Sequence, residues 1–390
     1  MARDRFELLL KFWHFSDNNK YHSNQDRLFK LKPLLDLLKA RFSSVHIPGA
    51  VVTIDETMIP WRGRLSFKQY IPGKAHKYGI NMYKLAATNG YTWSYLIYTG
   101  EQDPMAGLGH AETVVVNLLD GLSECYRTVV ADNFFTSISL AKSLLAHDTY
   151  LIGTLRRNRA TSGKEVLQRK LKRGEAYGLQ NQEGIKLIMW KDRKDVLMIS
   201  TRPSHSADVV DVGKKNFRNQ PMMKPKVVVN YNKGRQGADL SDQLSAYYTC
   251  LRRSLKWYRK VAFELILGMA IVNSYLVYKE NYSTNNTTIL KFRKSLVRSL
   301  LLGVPFENLK PGIKQQLTSQ SKRKLVDHQL EEGQEFSHDV RRRCTGCYEK
   351  IRQQQSRETS NAIVKKVKTF CPDCDKFFCL GCFNEKHHSI

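Results

Sequence analysis

The sequence predicts an α/β protein organised around a buried sheet whose strands end in aspartates, followed by a separate cysteine-rich tail. Three observations carry that expectation. Two apolar, β-branched runs, Val51–Ile54 and Tyr126–Ala131, deliver Asp55 and Asp132 at their ends. Strand-like and helical patterns alternate around them. Six of the eight cysteines stand at or beyond Cys344.

At 390 residues the chain has room for several domains, and 42% apolar content argues against global disorder. Lys and Arg outnumber Asp and Glu by 63 to 36, a formal charge of +27. Such a charge repels itself unless a polyanion is near, so nucleic acid is the first partner to consider. The start, MARDRFELLLKFWHF, is charged and amphipathic and lacks the form of a signal peptide. The most apolar window, Ala262–Tyr278, is broken by Glu264, Asn273 and Ser274, so no membrane span is expected. Clustered cysteines in a reducing compartment read as a metal site.

Residues 1–48 read as helical. Phe6, Leu9, Leu10 and Trp13 follow helical spacing, and Pro33 suits a first turn before Leu34, Leu35, Leu38 and Phe42. The segment 49–155 begins with the Asp55 strand, which Pro60 is expected to stop. Glu56 should point to the opposite face and pair with Arg62 or Arg64. Asn89-Gly90 between two β runs signals a hairpin with a type I′ turn. A helix at Gly109–Leu122, the Asp132 strand, a helix at Ser137–Leu145 and a strand at Tyr150–Leu155 complete the series. Asn133 is expected to cap the helix after Asp132. Strand, strand, strand, helix, strand, helix, strand is the order of the ribonuclease-H-like fold. In it the first and fourth strands are neighbours, and a third acid is expected on a following helix.

A β-rich insertion, 156–225, delays that helix. It opens with Arg156, Arg157, Arg159, Lys164, Arg169, Lys170, Lys172 and Arg173, and holds strands at Ile185–Trp190 and Val196–Thr201. In 226–250 a strand is expected at Lys226–Tyr231, then a helix bearing Asp239 and Asp242 on one face. Residues 251–280 read as one long helix with a basic stripe (Arg252, Arg253, Lys256, Arg259, Lys260) and an interleaved Trp257. It leads through a basic linker to about residue 335, and the cysteine-rich domain occupies 341–390.

Asp55, Asp132 and Asp239, with Asp242 as an accessory, are the candidate catalytic acids. Clustered carboxylates repel unless cations neutralise them. Two Mg²⁺ ions about 3.5–4 Å apart do so while activating a nucleophile on a phosphodiester. Arg62, Arg64, Lys68 and the 252–260 stripe are candidate DNA contacts, with Trp257 placed to stack on a base. Cys344, Cys347, Cys371, Cys374, Cys379 and Cys382, with His387 and His388, supply eight zinc ligands, enough for one or two structural ions.

Several long stretches resemble one family in order along the whole chain. They are ARDRFELLLKFWHF, TIDETMIPWRGRLSFKQYIPGKAHKYGI, VVADNFFTSISLAKSLL, MWKDRKDVLMIST, VVVNYNKGRQGADLSDQL and the closing CFNEKHH. The chain resembles the piggyBac-type transposases. That resemblance implies an aspartate triad on Asp55, Asp132 and Asp239, with Asp242 matching a further acidic position. It implies Mg²⁺-dependent cut-and-paste transposition through hairpin ends at TTAA. It also implies a homodimer, a helical dimerisation and DNA-binding domain formed by the segments before Asp55 and after Asp239, and a cysteine tail that binds terminal-repeat DNA. Trp257 matches an aromatic near the family's active site. The first helical domain is expected to be N-terminally truncated. The alternative reading is a transposase-derived DNA-binding protein without cleavage. SKRKL at Ser321–Leu325 and Arg341–Arg343 point to the nucleus.

Overall fold

The structure is a computed structural model. It describes residues 1–303 apart from 18, 20–25, 102, 108, 162, 216–218, 220 and 283–286, and in the tail 331–332 and 341–387 apart from 372, 373 and 375. The chain divides into two compact units, Met1–Leu309 and Lys310–Ile390.

The first unit opens with α1 (Arg3–Phe12) and α2 (Lys32–Val45). Pro33 lies in the first turn of α2, and Leu34 and Phe42 enter the core. No residue of α1 is buried. Trp13, just beyond it, is the anchor, its ring edge-on to Phe15 and Phe263.

Next come β1 (Val51–Pro60), β2 (Gln69–Tyr70), β3 (Tyr78–Ala87), β4 (Thr92–Ile97), α3 (His110–Leu118), β5 (Thr128–Ala131), α4 (Ile138–Ala146) and β6 (Tyr150–Thr154). β1 is central, antiparallel to β3 on one side and parallel to β5 on the other, and β5 runs parallel to β6. The Asp55 and Asp132 strands are therefore neighbours, as their order in the chain led us to expect. Val52, Ile54, Val129, Val130, Leu151 and Ile152 are all buried, as strands covered on both faces require. The β3–β4 hairpin forms, with a different turn. Gly90 alone has positive φ, and Gly90 N–H bonds to Ala87 O while Ala87 N–H bonds to Tyr91 O. That is a three-residue connection closed by a left-handed glycine, in place of type I′.

The insertion continues the same sheet. After α5 (Lys164–Gln168), the strands β7 (Ala176–Gln180), β8 (Lys186–Lys191) and β9 (Asp195–Ser200) form an antiparallel ladder, and β9 pairs with β6. The sheet reads β2-β3-β1-β5-β6-β9-β8-β7, with β4 also on β3. β10 (Val209–Lys215) and β11 (Pro221–Pro225) make a separate ribbon.

The expected strand at Lys226–Tyr231 is a helix, α6 (Lys226–Gly234). Its β-branched run, Val227–Val229, suggested extension. The buried set Val227, Val228, Tyr231 and Gly234 instead follows one helical face, and Pro225 precedes the first turn. α7 (Gln236–Tyr247) carries Asp239 and Asp242. The long helix expected from 251 begins only at α8 (Trp257–Phe263), because Ser254 Oγ turns the chain onto Lys256 through its N–H and carbonyl. A π-helical segment, Glu264–Ala270, joins α8 to α9 (Ile271–Asn281), and α10 (Ile289–Leu302) follows. Trp257–Asn281 is long and apolar enough to cross a membrane by length and composition, but more than half of its most apolar stretch is buried within the protein. Val261, Leu265, Met269 and Val272 belong to the main core.

The second unit contains β12 (Glu331–Glu332), β13 (Arg342–Arg343), α11 (Thr345–Arg352), α12 (Arg357–Ile363), β14 (Lys366–Val367), β15 (Thr369–Cys371), β16 (Lys376–Phe377) and α13 (Leu380–His387). Cys344, Cys371 and Cys382 pack with Val367, Phe378 and Phe383.

Two glycines let the α6–α7 elbow reach the sheet. A Cβ on Gly237 would stand 2.4 Å from Ala87 O, and one on Gly234 would stand 2.6 Å from a Val130 methyl. Gly237→Ala must lift α7 off β3, and should destabilise the fold by about 1–3 kcal/mol. Gly49→Ala, with nothing within 4 Å, should leave the melting temperature unchanged. Thermal unfolding of both variants tests the close approach.

Candidate active site and cysteine cluster

Parallel pairing of β1 with β5 ends at Ile54↔Ala131. Asp55 and Asp132 are the next residues on each strand. Only β5 stops there; β1 runs on to Pro60 beside β3, so Asp55 lies mid-strand and not at a strand end. Thr53 Oγ1 donates to Gly234 O and fixes the elbow from which α7 starts. Asp239 follows in the first turn of α7. Asp55, Asp132 and Asp239 thereby line one pocket of about 240 Å³, together with Glu56, Lys74, Tyr231 and Arg235.

The pocket disfavours free carboxylates. Burial pushes Asp55 up to about 7, with Lys74 pulling it back and Glu56 pushing it further. Burial also raises Asp132, against the Phe134 N–H that donates to its Oδ1 at 2.9 Å. Lys74 Nζ stands 3.2 Å from Glu56 Oε1 and 3.9 Å from Asp55 Oδ1. Burial opposes its charge, but Asp55 and Glu56 more than offset that and raise it above the ordinary lysine range. Lys74 is thus the partner of Glu56, in place of Arg62 or Arg64. It lies in the 71–77 loop, which Ile71 N–H closes onto Lys77 O, and its ammonium also donates to the Glu56 carbonyl.

Asp242 lies outside the pocket of the other three. Its carboxylate takes the ammonium of fully buried Lys84 at 2.6 Å and the hydroxyl of Thr57 at 2.8 Å. On α7, which packs on β1 and β3, the i, i+3 spacing puts Asp239 into the acid pocket and Asp242 against Thr57 of β1 and Lys84 of β3. Asn133 is not the helix cap. Ser137 caps α4 by accepting from Leu140 N–H, while Asn133 Oδ1 accepts from Arg156.

Of the candidate DNA contacts, Arg62, Arg64, Arg252, Arg253 and Lys256 are exposed, and Lys68 is half-buried with its ammonium over the Tyr78 ring. Arg252, Arg253 and Lys256 precede α8 and form no helical stripe. Arg259 donates to the carbonyls of Lys11 and Trp13, holding the end of α1. Trp257 packs edge-on against Phe67 at 5.1 Å. Lys260 is half-buried, and burial lowers its pKa. Sequence reasoning assigned Arg159 to a general basic run. In the structure it donates to the carbonyls of Asn133, Phe134 and Thr136, clamping the loop that follows Asp132. Lys74, Lys84 and Arg235 carried no distinguishing signal in the sequence.

The donor set fits a hard divalent cation. It offers three aspartates and a buried Glu56 Oε2 that has no hydrogen-bond partner. In the tail, Cys344, Cys347, Cys379 and Cys382 bring their sulfurs within 4.8 Å of one another. Cys347 Sγ lies 3.7 Å from Cys379 Sγ and 3.5 Å from Cys382 Sγ, spacings that suit four thiolates about a zinc with Zn–S of about 2.3 Å. Cys371 and Cys374 stand outside that group of four. His388 and the side chain of His387 lie outside the described residues.

A family model described as Transposase IS4 matches residues 1–275. The chain therefore belongs to this transposase family. Within it, the chain is of the piggyBac type. It is 26% identical over 403 aligned residues to human PiggyBac transposable element-derived protein 3, covering 99% of this chain and 63% of that protein. It is 24% identical to human PiggyBac transposable element-derived protein 2, covering 89% of this chain and 60% of that one. The chain thus spans less than two thirds of the length of these relatives. Among solved structures it is similar to the piggyBac transposase synaptic complex with hairpin DNA, with TM-score 0.67 and 25% identity over 97% of this chain and 78% of that one.

Two outcomes follow from this chemistry. The Asp55 carboxyl keeps its proton up to about pH 7 in the folded state, against 3.8 when unperturbed. The folded state therefore loses stability as pH rises between those values, and the loss is complete above about 7. With divalent cations chelated, Asp55→Asn should raise the melting temperature, by about 2–4 °C for each kcal/mol relieved, and the gain should grow from pH 5 to pH 7.5. A gain independent of pH would contradict the burial argument. For the tail, Cys379→Ser should lower bound zinc by one ion per chain, read by elemental analysis of purified protein.

Proposed function

We propose that this chain is a DNA-cleaving and DNA-joining transposase acting at TTAA-flanked ends, with Asp55, Asp132 and Asp239 as its catalytic acids. The observation that carries the reading is their convergence: three acids distant in sequence line one pocket at the end of a parallel strand pair. The finer architecture is read as a ribonuclease-H-like catalytic domain, interrupted by the β-rich insertion and flanked by helical DNA-binding segments and a zinc-binding tail. Mg²⁺ held by the three aspartates would activate the attacking hydroxyl and stabilise the leaving oxygen. The chain's own residues do the rest. Arg159 fixes the Asp132 loop, the Gly234–Gly237 elbow seats Asp239, and Lys74 neutralises Asp55 and Glu56 until DNA and cation arrive. The +27 charge, exposed at Arg62, Arg64, Arg252, Arg253 and Lys256, supplies phosphate contacts. The protein acts as a homodimer in the nucleus, without membrane association.

A second reading is favoured by the names of the human relatives, which call them transposable element-derived: DNA binding retained without cleavage. One experiment separates the two. The protein is incubated with a duplex carrying terminal-repeat DNA beside TTAA, with Mg²⁺. Nicks and hairpins that disappear in Asp132→Asn support the transposase. Salt-dependent binding without cleavage, unaffected by Asp55→Ala, supports the second reading and overturns the first.

A further inference from the structure

We propose that Arg235 is a further catalytic residue, whose guanidinium donates to a nonbridging oxygen of the phosphate under attack while Tyr231 holds it in place. This rests on the DNA reading above and adds to it a phosphate contact inside the acid pocket. Two cations line that pocket, Lys74 and Arg235, and they are engaged differently. Lys74 is taken up by Glu56 and Asp55, and it also donates to the Glu56 carbonyl at 2.8 Å. Arg235 is exposed, and it forms no ion pair among the described residues. An arginine beside three aspartates that pairs with none of them is held by something else.

Its root is fixed by the elbow. Arg235 follows the last residue of α6 and precedes the first of α7, and its backbone N–H donates to Tyr231 O at 2.9 Å. Gly234 before it is pressed on Val130 and Gly237 after it on Ala87 O, so the backbone between them has little room to shift. Its head is fixed by Tyr231, one helical turn back. Tyr231 is buried and lines the same pocket, and Arg235 Cζ lies 6.0 Å from the centre of its ring. Burial raises the phenol above its ordinary range, against hydrogen bonds with Thr154 and Arg235 that lower it. The phenol therefore stays neutral and leaves the guanidinium's charge uncompensated. A guanidinium presents five donors in a planar fork that matches the oxygens of a phosphate, and one hydrogen bond to Tyr231 leaves most of that fork open. In the reaction the attacking hydroxyl loses its proton and its oxygen bonds to phosphorus. The P–O3′ bond breaks, its electron pair leaves with O3′, and O3′ takes up a proton. Charge builds on the nonbridging oxygens as the new bond forms, and a guanidinium already in place stabilises that state more than the ground state.

The test is a binding cycle with the full chain and a terminal-repeat duplex beside TTAA, in Ca²⁺ so that DNA is held without being cut. A second duplex carries a charge-neutral methylphosphonate at the attacked phosphate. Wild-type protein should bind the neutral duplex about tenfold more weakly, and Arg235→Ala should lose about tenfold on the ordinary duplex and little more on the neutral one. Losses that multiply overturn the contact, as does wild-type binding indifferent to that phosphate. Arg235→Lys keeps the charge without the fork and should recover part of the loss. Tyr231→Phe keeps the ring without the hydroxyl and should show the same coupling, reduced. The melting temperatures of the Arg235 variants should match wild type, because the side chain is exposed. In Mg²⁺, single-turnover cleavage by Arg235→Ala at saturating protein should fall about a hundredfold. A wild-type rate there overturns the catalytic role and leaves the transposase reading standing. Binding without cleavage by the wild type overturns that reading instead, and the binding cycle still decides the contact.

Discussion

Like charges gathered in a dry place set the terms for the first unit. Asp55, Asp132 and Asp239 share one pocket, and Glu56 adds a fourth carboxyl whose outer oxygen has no partner. In water such a group would scatter; here backbone contacts hold it. The parallel pair β1–β5 fixes two acids by register, and the glycine elbow brings the third. Lys74, Arg159 and Arg235 then respond to that constraint, one neutralising, one clamping a loop, one lining the wall. Burial raises Asp55 and Asp132, with Glu56 adding to it and Lys74 opposing it, a pattern that functional sites often show.

The protein's excess of cations is kept elsewhere. Most of the basic residues named above are on the surface, while buried Lys84 and Lys186 and half-buried Arg159 have specific acceptors. Lys84 has Asp242, Arg159 has three carbonyls, and Lys186 has the carbonyls of Arg202 and Pro203. Charge therefore performs two tasks that sequence composition merges: inside it fastens elements together, outside it faces a polyanion.

That division explains what could be read in advance. Strand order and the pairing of the Asp55 and Asp132 strands were legible, because β-branched runs and the Asn-Gly hairpin are local signals. So was Asp239, through the Gly-rich turn before it. The helix at Lys226–Gly234 was misread because three consecutive valines outweigh, by propensity, a helical spacing that only burial reveals. Nothing local marks Arg259 as a guanidinium destined for the carbonyls of Lys11 and Trp13. The Lys74–Glu56 and Lys84–Asp242 pairs depend on which residues the sheet makes neighbours, which charge patterns do not encode. A cysteine metal cluster in the tail was expected, but spacing alone did not single out Cys344, Cys347, Cys379 and Cys382 from the other candidate ligands.

The β6–β9 pairing has a consequence for how the chain acquires its structure. An insertion standing as its own domain could fold at leisure beside a finished catalytic sheet. Here the inserted strands cover the edge that β6 would otherwise leave open, an edge prone to pairing with other chains. The ribosome must therefore release the insertion before the sheet is shielded, and release α7 later still before the third acid arrives. The nascent protein passes through a stage in which it has a sheet but no complete acid pocket, since Asp239 on α7 emerges after every strand of that sheet.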